Sequence, residues 1–163
     1  MTDGDHVVLL DDDGNPVGTA PKSSVHGTET ALHLAFSCHV LNAEGQVLVT
    51  RRALDKKTWP GVWTNSFCGH PRPAEPLLSA VQRRGEFELG IHLTDIELAL
   101  PLFRYRAVDA GGIVENEICP VYIARTDDEV APNPLEVVEA RWVDPEELGS
   151  SLATTPWAFS PWL

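Results

Sequence analysis

The sequence predicts an α+β sandwich with a mixed β-sheet, and three observations carry that expectation. Short apolar runs of strand length stand before, between and after one amphipathic segment long enough to be a helix. Clusters of Gly, Asn, Asp and Pro separate those runs. The chain has 163 residues, enough for one domain with a substantial core.

The first strand is expected over residues 7–10, and Asp11-Asp12-Asp13-Gly14-Asn15-Pro16 turns the chain into a return strand over 17–20. Residues 33–41 and 46–52 read as two strands joined through Asn42-Ala43-Glu44-Gly45. Pro60-Gly61 opens an irregular, aromatic-rich stretch that runs through Trp63 to His70. The helix is expected over 75–89. Pro76 suits its first position, Leu77, Leu78, Val81 and Leu89 form its apolar stripe, and Gly90 stops it. Gly85 is a weak spot, costing about 1 kcal/mol relative to Ala in an exposed helix interior. Residues 98–108 and 113–124 read as longer strands around Asp109-Ala110-Gly111-Gly112. Residues 140–143 follow as another strand and 145–148 as a short helix.

Hydrophobic residues make up 43% of the chain and charged residues 22%, a globular composition that excludes a disordered or fibrous protein. The formal net charge is −12, which disfavours nucleic-acid and anionic-membrane partners. Acids concentrate in residues 1–15 and 126–150, and the second stretch reads as a solvated surface. The remainder is neutral and holds a basic cluster of Arg51, Arg52, Lys56 and Lys57, followed by Arg83, Arg84, Arg104 and Arg106. A local pocket for a small anion is therefore expected. Three cysteines, an acidic start and no apolar run near the roughly 20 residues of a membrane span predict a reduced, cytoplasmic protein.

Glu115 and Glu117 stand two apart on a predicted strand, so both carboxylates project from one face. Two like charges among Ile113, Val114, Ile118 and Cys119 need a cation or a shared proton. His26, His33 and His70 are the imidazoles available to complete a site for manganese, zinc or magnesium, although a solvated strand face remains the plainer alternative. His6, His39, His92, Cys38 and Cys119 read as structural residues. In Cys68-Gly69-His70, glycine permits close backbone approach and the thiol could exchange a proton beside a metal-bound imidazole, or be a small buried hydrophobe.

From Gly69 onward the helix resembles a damaged Nudix box, with Glu75, Arg83, Glu88, Gly90 and Ile91 in register. Arg84 and Phe87 stand where that pattern has glutamate, so the scaffold looks like Nudix while the hydrolytic machinery does not. The segments His33–Ser37, Thr50–Ala53, Trp59–Ser66, Cys68–Pro71, Phe103–Ala107 and Val114–Glu117 together resemble type I isopentenyl-diphosphate isomerases. The likeness runs from His6 to Trp162.

That resemblance implies a single Nudix-like domain over 1–163, an α/β/α sandwich with a shortened C-terminus. It implies a metal-dependent 1,3-proton shift converting isopentenyl diphosphate to dimethylallyl diphosphate. His26, His33, His70, Glu115 and Glu117 would bind one divalent metal, and Glu88 would help hold magnesium at the diphosphate. Lys22, Arg52 and Lys56 would grip the diphosphate, with Arg51 and Arg84 as further candidates. Cys68 and Glu117 would act from opposite faces of the substrate: Glu117, aided by Tyr105, protonating the methylene, and a Cys68 thiolate removing the second proton, or the two roles exchanged. Trp162 would face the tertiary carbocation. A monomer is expected. A Nudix diphosphate hydrolase and a catalytically silent prenyl-diphosphate-binding protein are the rival readings.

Overall fold

The computed structural model describes residues 5–163; the acidic start at 1–4 lies outside the described residues. In chain order the first seven strands are β1 (His6–Leu10), β2 (Pro16–Pro21), β3 (His33–Leu34), β4 (Phe36–Leu41), β5 (Val47–Arg52), β6 (Trp63–Thr64) and β7 (Phe67–Gly69). Helix α1 (Leu77–Leu89) follows, then β8 (Thr94–Leu100), β9 (Arg104–Val108), β10 (Val114–Ile118), β11 (Val121–Arg125), β12 (Val137–Val143) and α2 (Pro145–Thr154).

The α+β class holds, but the strands form two mixed sheets rather than one. The smaller sheet has the order β2-β1-β3-β10-β9. The larger has the order β12-β5-β4-β11-β8, with β6 on β5 and β7 on β4. Three segments that read as continuous strands are each divided between the sheets. Residues 33–41 break at Ala35, 98–108 break between Leu100 and Arg104, and 113–124 break at Cys119-Pro120. Pro120 has no N–H to donate, so a ladder cannot run through it.

Two of these breaks lie side by side. β3 pairs β10 in parallel in one sheet, and β4 pairs β11 in parallel in the other. Ala35 N donates to Ile118 O and Ser37 N to Pro120 O, both at 3.0 Å, which stitches the two crossing chains together between the sheets.

The main core lies between α1 and the larger sheet. Ala80, Val81 and Leu89 pack with Phe36, Cys38, Phe67, Ile91 and Leu93. The buried face of α1 is 80/81, 84/85 and 88/89, so Leu78 points to solvent instead of joining the stripe. Gly85 belongs to that contact face. A Cβ there would lie 3.1 Å from Leu93 Cδ1 and 3.4 Å from Phe67 Cζ, so glycine permits the helix to approach rather than weakening an exposed turn. Pro76 is the N-cap residue, one position earlier than expected. At α2, Asp144 Oδ1 accepts from the backbone N of Glu146 and Glu147, and the helix extends to Thr154. No helix among the described residues is long and apolar enough to cross a membrane.

Candidate functional site

Strand register builds the centre of the site. Tyr105 on β9 faces Glu117 on β10, and Glu117 faces His33 on β3, so three strands align these side chains in one row. The Tyr105 hydroxyl donates a short hydrogen bond to Glu117 Oε1. On the other side, Glu117 Oε2 lies 3.0 Å from His70 Nε2 and 3.6 Å from His33 Nε2. Two residues back, and on the same face, Glu115 Oε2 meets His26 Nε2 at 2.8 Å, while Thr58 Oγ1 donates to Glu115 Oε1 at 2.7 Å. The intervening Asn116 donates to Thr30 O at 3.2 Å, away from the carboxylates.

The loop after β2 carries His26 and is held by the bond from Val114 N to Gly27 O. His70 follows β7 directly. Its loop is clamped by Arg83, which donates to both oxygens of Glu75 and to His70 O. That guanidinium holds the Glu75 carboxyl below the usual carboxylate range.

Whether these residues fit a metal can be tested on the donors themselves. His26, His33 and His70 each offer a ligand atom within 4.8 Å of the others, and His33, Glu115 and Glu117 do the same. His33 Nδ1 bonds Ala31 O at 2.9 Å, a carbonyl that can only accept, which leaves the Nε2 lone pair free. That Nε2 is buried without a hydrogen-bond partner among the described residues. Burial pushes the His70 imidazole well below its ordinary value, so it stays neutral, as a ligand must be. The arrangement fits a divalent cation.

A cavity of about 400 Å³ opens on this cluster and is lined from both sheets. Cys68 enters it from β7. Its Sγ lies 3.1 Å from Asn65 Oδ1, and burial raises the thiol to about 12. Burial thus favours the protonated thiol over the thiolate in the free cavity. Asn65 is oriented by its Nδ2, which donates to Cys38 O and Phe67 O, so only its oxygen can face the sulfur. Gly69 also lines the cavity, and it is crowded where a side chain would stand. A Cβ there would stand 2.7 Å from both Arg84 Cγ and Phe36 Cζ, so the near approach is to protein atoms.

Lys22, Arg52, Lys56 and Arg84 line the same cavity, as does Glu88. Burial, followed by the nearby Arg84 charge, lowers Lys22 to about 8. Lys56 is likewise lowered to about 8, chiefly by burial. Arg52 donates to Thr58 O and Trp59 O, and its Cζ stands 5.2 Å from the centre of the Trp162 ring. Trp162 also meets Tyr105 at 5.7 Å and Trp59 edge-on at 5.3 Å between ring centres. Arg51 does not join the cluster. It turns outward to Glu139 Oε1 and Gly61 O, because its neighbour Arg52 takes the inward direction on β5.

His33 lies buried beneath the lining, Arg51 turns away from it, and the other expected site residues reach the cavity. Cys119 also lines the cavity, at the break between β10 and β11, although it read as a purely structural strand residue. The sequence reading assigned no role to Thr58, Asn65 or Glu136. A signal for Asn65 existed, since Thr64-Asn65-Ser66 interrupts an aromatic stretch and must find partners once buried. Glu136 sits in the stretch expected to be solvated, yet it contacts Lys56 and lines the cavity.

The NUDIX domain family matches residues 31–163 of this chain. An isopentenyl-diphosphate Delta-isomerase from Agromyces mediolanus is 68% identical over 157 residues, spanning 96% of this chain and 76% of that protein. An isomerase of the same name from Clavibacter sepedonicus is 67% identical over 96% of this chain and 83% of its own length. Among solved structures, DR0079 from Deinococcus radiodurans superposes with a TM-score of 0.70 at 20% identity, covering 92% of this chain and 90% of that one. The MutT protein from Methanosarcina mazei Go1 gives 0.61 at 20% identity over 80% and 86%. These two likenesses concern the fold alone.

Proposed function

The chain belongs to the isopentenyl-diphosphate Delta-isomerases, within the NUDIX domain family, and from that premise we propose how its own residues carry the reaction. It is an enzyme that converts isopentenyl diphosphate to dimethylallyl diphosphate. The observation supporting our assignment is that Cys68 and Glu117 reach one cavity from two different sheets, with a cluster of cations in the same cavity.

Lys22, Arg52, Lys56 and Arg84 bind the diphosphate and fix the hydrocarbon between the two proton-transfer groups. Glu117, bonded to Tyr105, gives a proton to the terminal methylene, and the positive charge moves to the tertiary carbon. The ring of Trp162 stabilises that charge by about 1–2 kcal/mol in a dry cavity. Cys68 takes a proton from the carbon nearer the diphosphate, which closes the new double bond. The protonated thiol that burial favours is then the state left by a forward turnover and the proton donor for the reverse direction.

His26, His33, His70, Glu115 and Glu117 would hold a divalent cation, and three imidazoles suit manganese or zinc better than magnesium. When bound, that cation draws charge from Glu117 and makes its proton more available. Glu88, which lines the same cavity, would hold magnesium at the diphosphate. Phe87 and Arg84 in place of Nudix glutamates disfavour hydrolysis. We read the chain as one domain, cytoplasmic and monomeric.

The test is incubation with isopentenyl diphosphate in deuterated buffer containing manganese and magnesium. Deuterated dimethylallyl diphosphate without phosphate release is expected. Product free of deuterium would overturn the proton-exchange route, and released phosphate would overturn the assignment of the site.

A further inference from the structure

We infer that Glu136 is a specificity-determining residue that makes the cationic cradle select a diphosphate carrying a divalent cation over the same diphosphate without one. This deepens the proposed function and rests on its reading of Lys22, Arg52, Lys56 and Arg84 as the diphosphate cradle.

The fold delivers Glu136 to this place by backbone bonds. Ala131 N donates to Leu89 O and Asn133 N to Glu88 O, both at 2.8 Å, which ties this segment to the last turn of α1. Glu136 N then donates to Asn133 O at 2.9 Å, and its own carbonyl accepts from Ala53 N at 3.1 Å, at the end of β5. The side chain is thereby fixed between the elements that carry Arg84, Glu88 and Lys56.

Its carboxylate occupies the cradle. Glu136 Oε2 contacts Lys56 Nζ and lies 3.7 Å from Arg84 Nη2. The same Arg84 nitrogen donates to Glu88 Oε1 at 2.7 Å, so two carboxylates flank one guanidinium. Both acids and Arg84 are largely withdrawn from water, with side-chain exposures of 13%, 8% and 9% for Glu136, Glu88 and Arg84. Charges there interact more strongly than they would at the surface.

An incoming diphosphate without a metal must displace Glu136 from Lys56 and then remain beside two carboxylates. Such like-charge contact disfavours the wrong partner. A diphosphate that arrives with a divalent cation brings positive charge to those same carboxylates, so the repulsion becomes attraction. Glu88 alone does not provide this filter for Lys56, because Glu136 is the carboxylate that lysine touches.

The experiment is calorimetric titration of inorganic pyrophosphate into the full chain, with magnesium or with excess chelator. Wild type is compared with Glu136→Gln and, as an exposed control on β12, Glu139→Gln. Wild type is expected to bind pyrophosphate about tenfold or more weakly in chelator than with magnesium. Glu136→Gln should regain about tenfold in chelator and lose most of the difference, while Glu139→Gln behaves as wild type. Glu136→Asp, which withdraws the carboxylate by one methylene, should fall between them and serves if the glutamine variant does not fold. If wild type binds magnesium pyrophosphate but Glu136→Gln gains nothing in chelator, the inference fails and the cradle reading stands. If wild type binds pyrophosphate in neither condition, both fail.

Discussion

Tyr105 and Glu117 are direct partners across the β9–β10 ladder, and the phenol hydroxyl donates to one carboxylate oxygen while His70 approaches the other. The Glu117 carboxylate, the proposed proton-transfer group, is thus held on both sides by elements from different parts of the chain. Replacing Tyr105 with Phe removes only the donor. Turnover of isopentenyl diphosphate should fall about 10²-fold, and unfolding free energy by about 1–2 kcal/mol, because Glu117 Oε1 loses its partner. Steady-state rates and urea unfolding of the variant check both numbers.

Cys68→Ala should lower isomerisation by roughly 10³-fold or more without unfolding the chain. Asn65 Oδ1 keeps its second bond, from Thr64 Oγ1, when the thiol is absent, so the buried polar group beside it stays satisfied. Glu117→Gln should be similarly inactive. Circular dichroism and a deuterium-incorporation assay separate loss of fold from loss of chemistry. A Cys68→Ala enzyme retaining most of its activity would defeat the two-sided assignment.

Metal binding should appear in stability as well as in rate. Chelator-treated protein is expected to melt earlier than protein given manganese or zinc, and a cation at a hundred times its dissociation constant adds about 2.7 kcal/mol. His26→Gln removes a ligand from the cluster and should erase most of that shift. Thermal unfolding with and without metal reads it directly.

With Lys22 in the proposed diphosphate cradle, substrate capture should depend on pH. The lysine's folded value of about 8 means that the charge needed for the diphosphate is present below pH 8 and is lost as pH rises through it. The ratio kcat/KM should therefore decline above about pH 8. Lys56 loses its charge in the same range, so Lys22→Arg should move that limb upward only in part and Lys22→Arg with Lys56→Arg should move it fully.

Gly69→Ala should destabilise the protein by about 1–3 kcal/mol, as overpacking does in a close-packed interior. The added methyl would meet Phe36 and Arg84 at 2.7 Å, and the strain falls between Cys68 and His70. Activity should fall with stability. Chemical denaturation and initial rates on the same samples provide the comparison.

Much of the local structure was legible. The hairpin of β1 and β2, the α1 segment and its stop at Gly90 follow from turn residues and apolar spacing. The shared face of Glu115 and Glu117 follows from strand geometry alone. Gly85 shows the limit of such rules: its helix propensity is a local property, but its role is set by Leu93 and Phe67, which only the fold brings near.

The same division explains Arg51 and Glu136. Both are charged residues in sequence stretches of matching charge, and those stretches gave no sign of which side chain turns inward. Alternation on β5 and the pairing with β12 send Arg51 out to Glu139. The anchoring of residues 131–136 on the end of α1 draws Glu136 in from an acidic surface stretch.

By itself the sequence determined the α+β class, the family resemblance and nearly every residue type of the site, because these depend on composition, local periodicity and short motifs. Tertiary structure alone decided that there are two sheets, that three apparent strands cross between them, and that Tyr105, Glu117 and His33 share one row. The physical reason is that long-range register depends on burial and pairing of every strand at once. A one-residue slip of β10 would turn Glu115 and Glu117 to the opposite face and leave the histidines without their carboxylates.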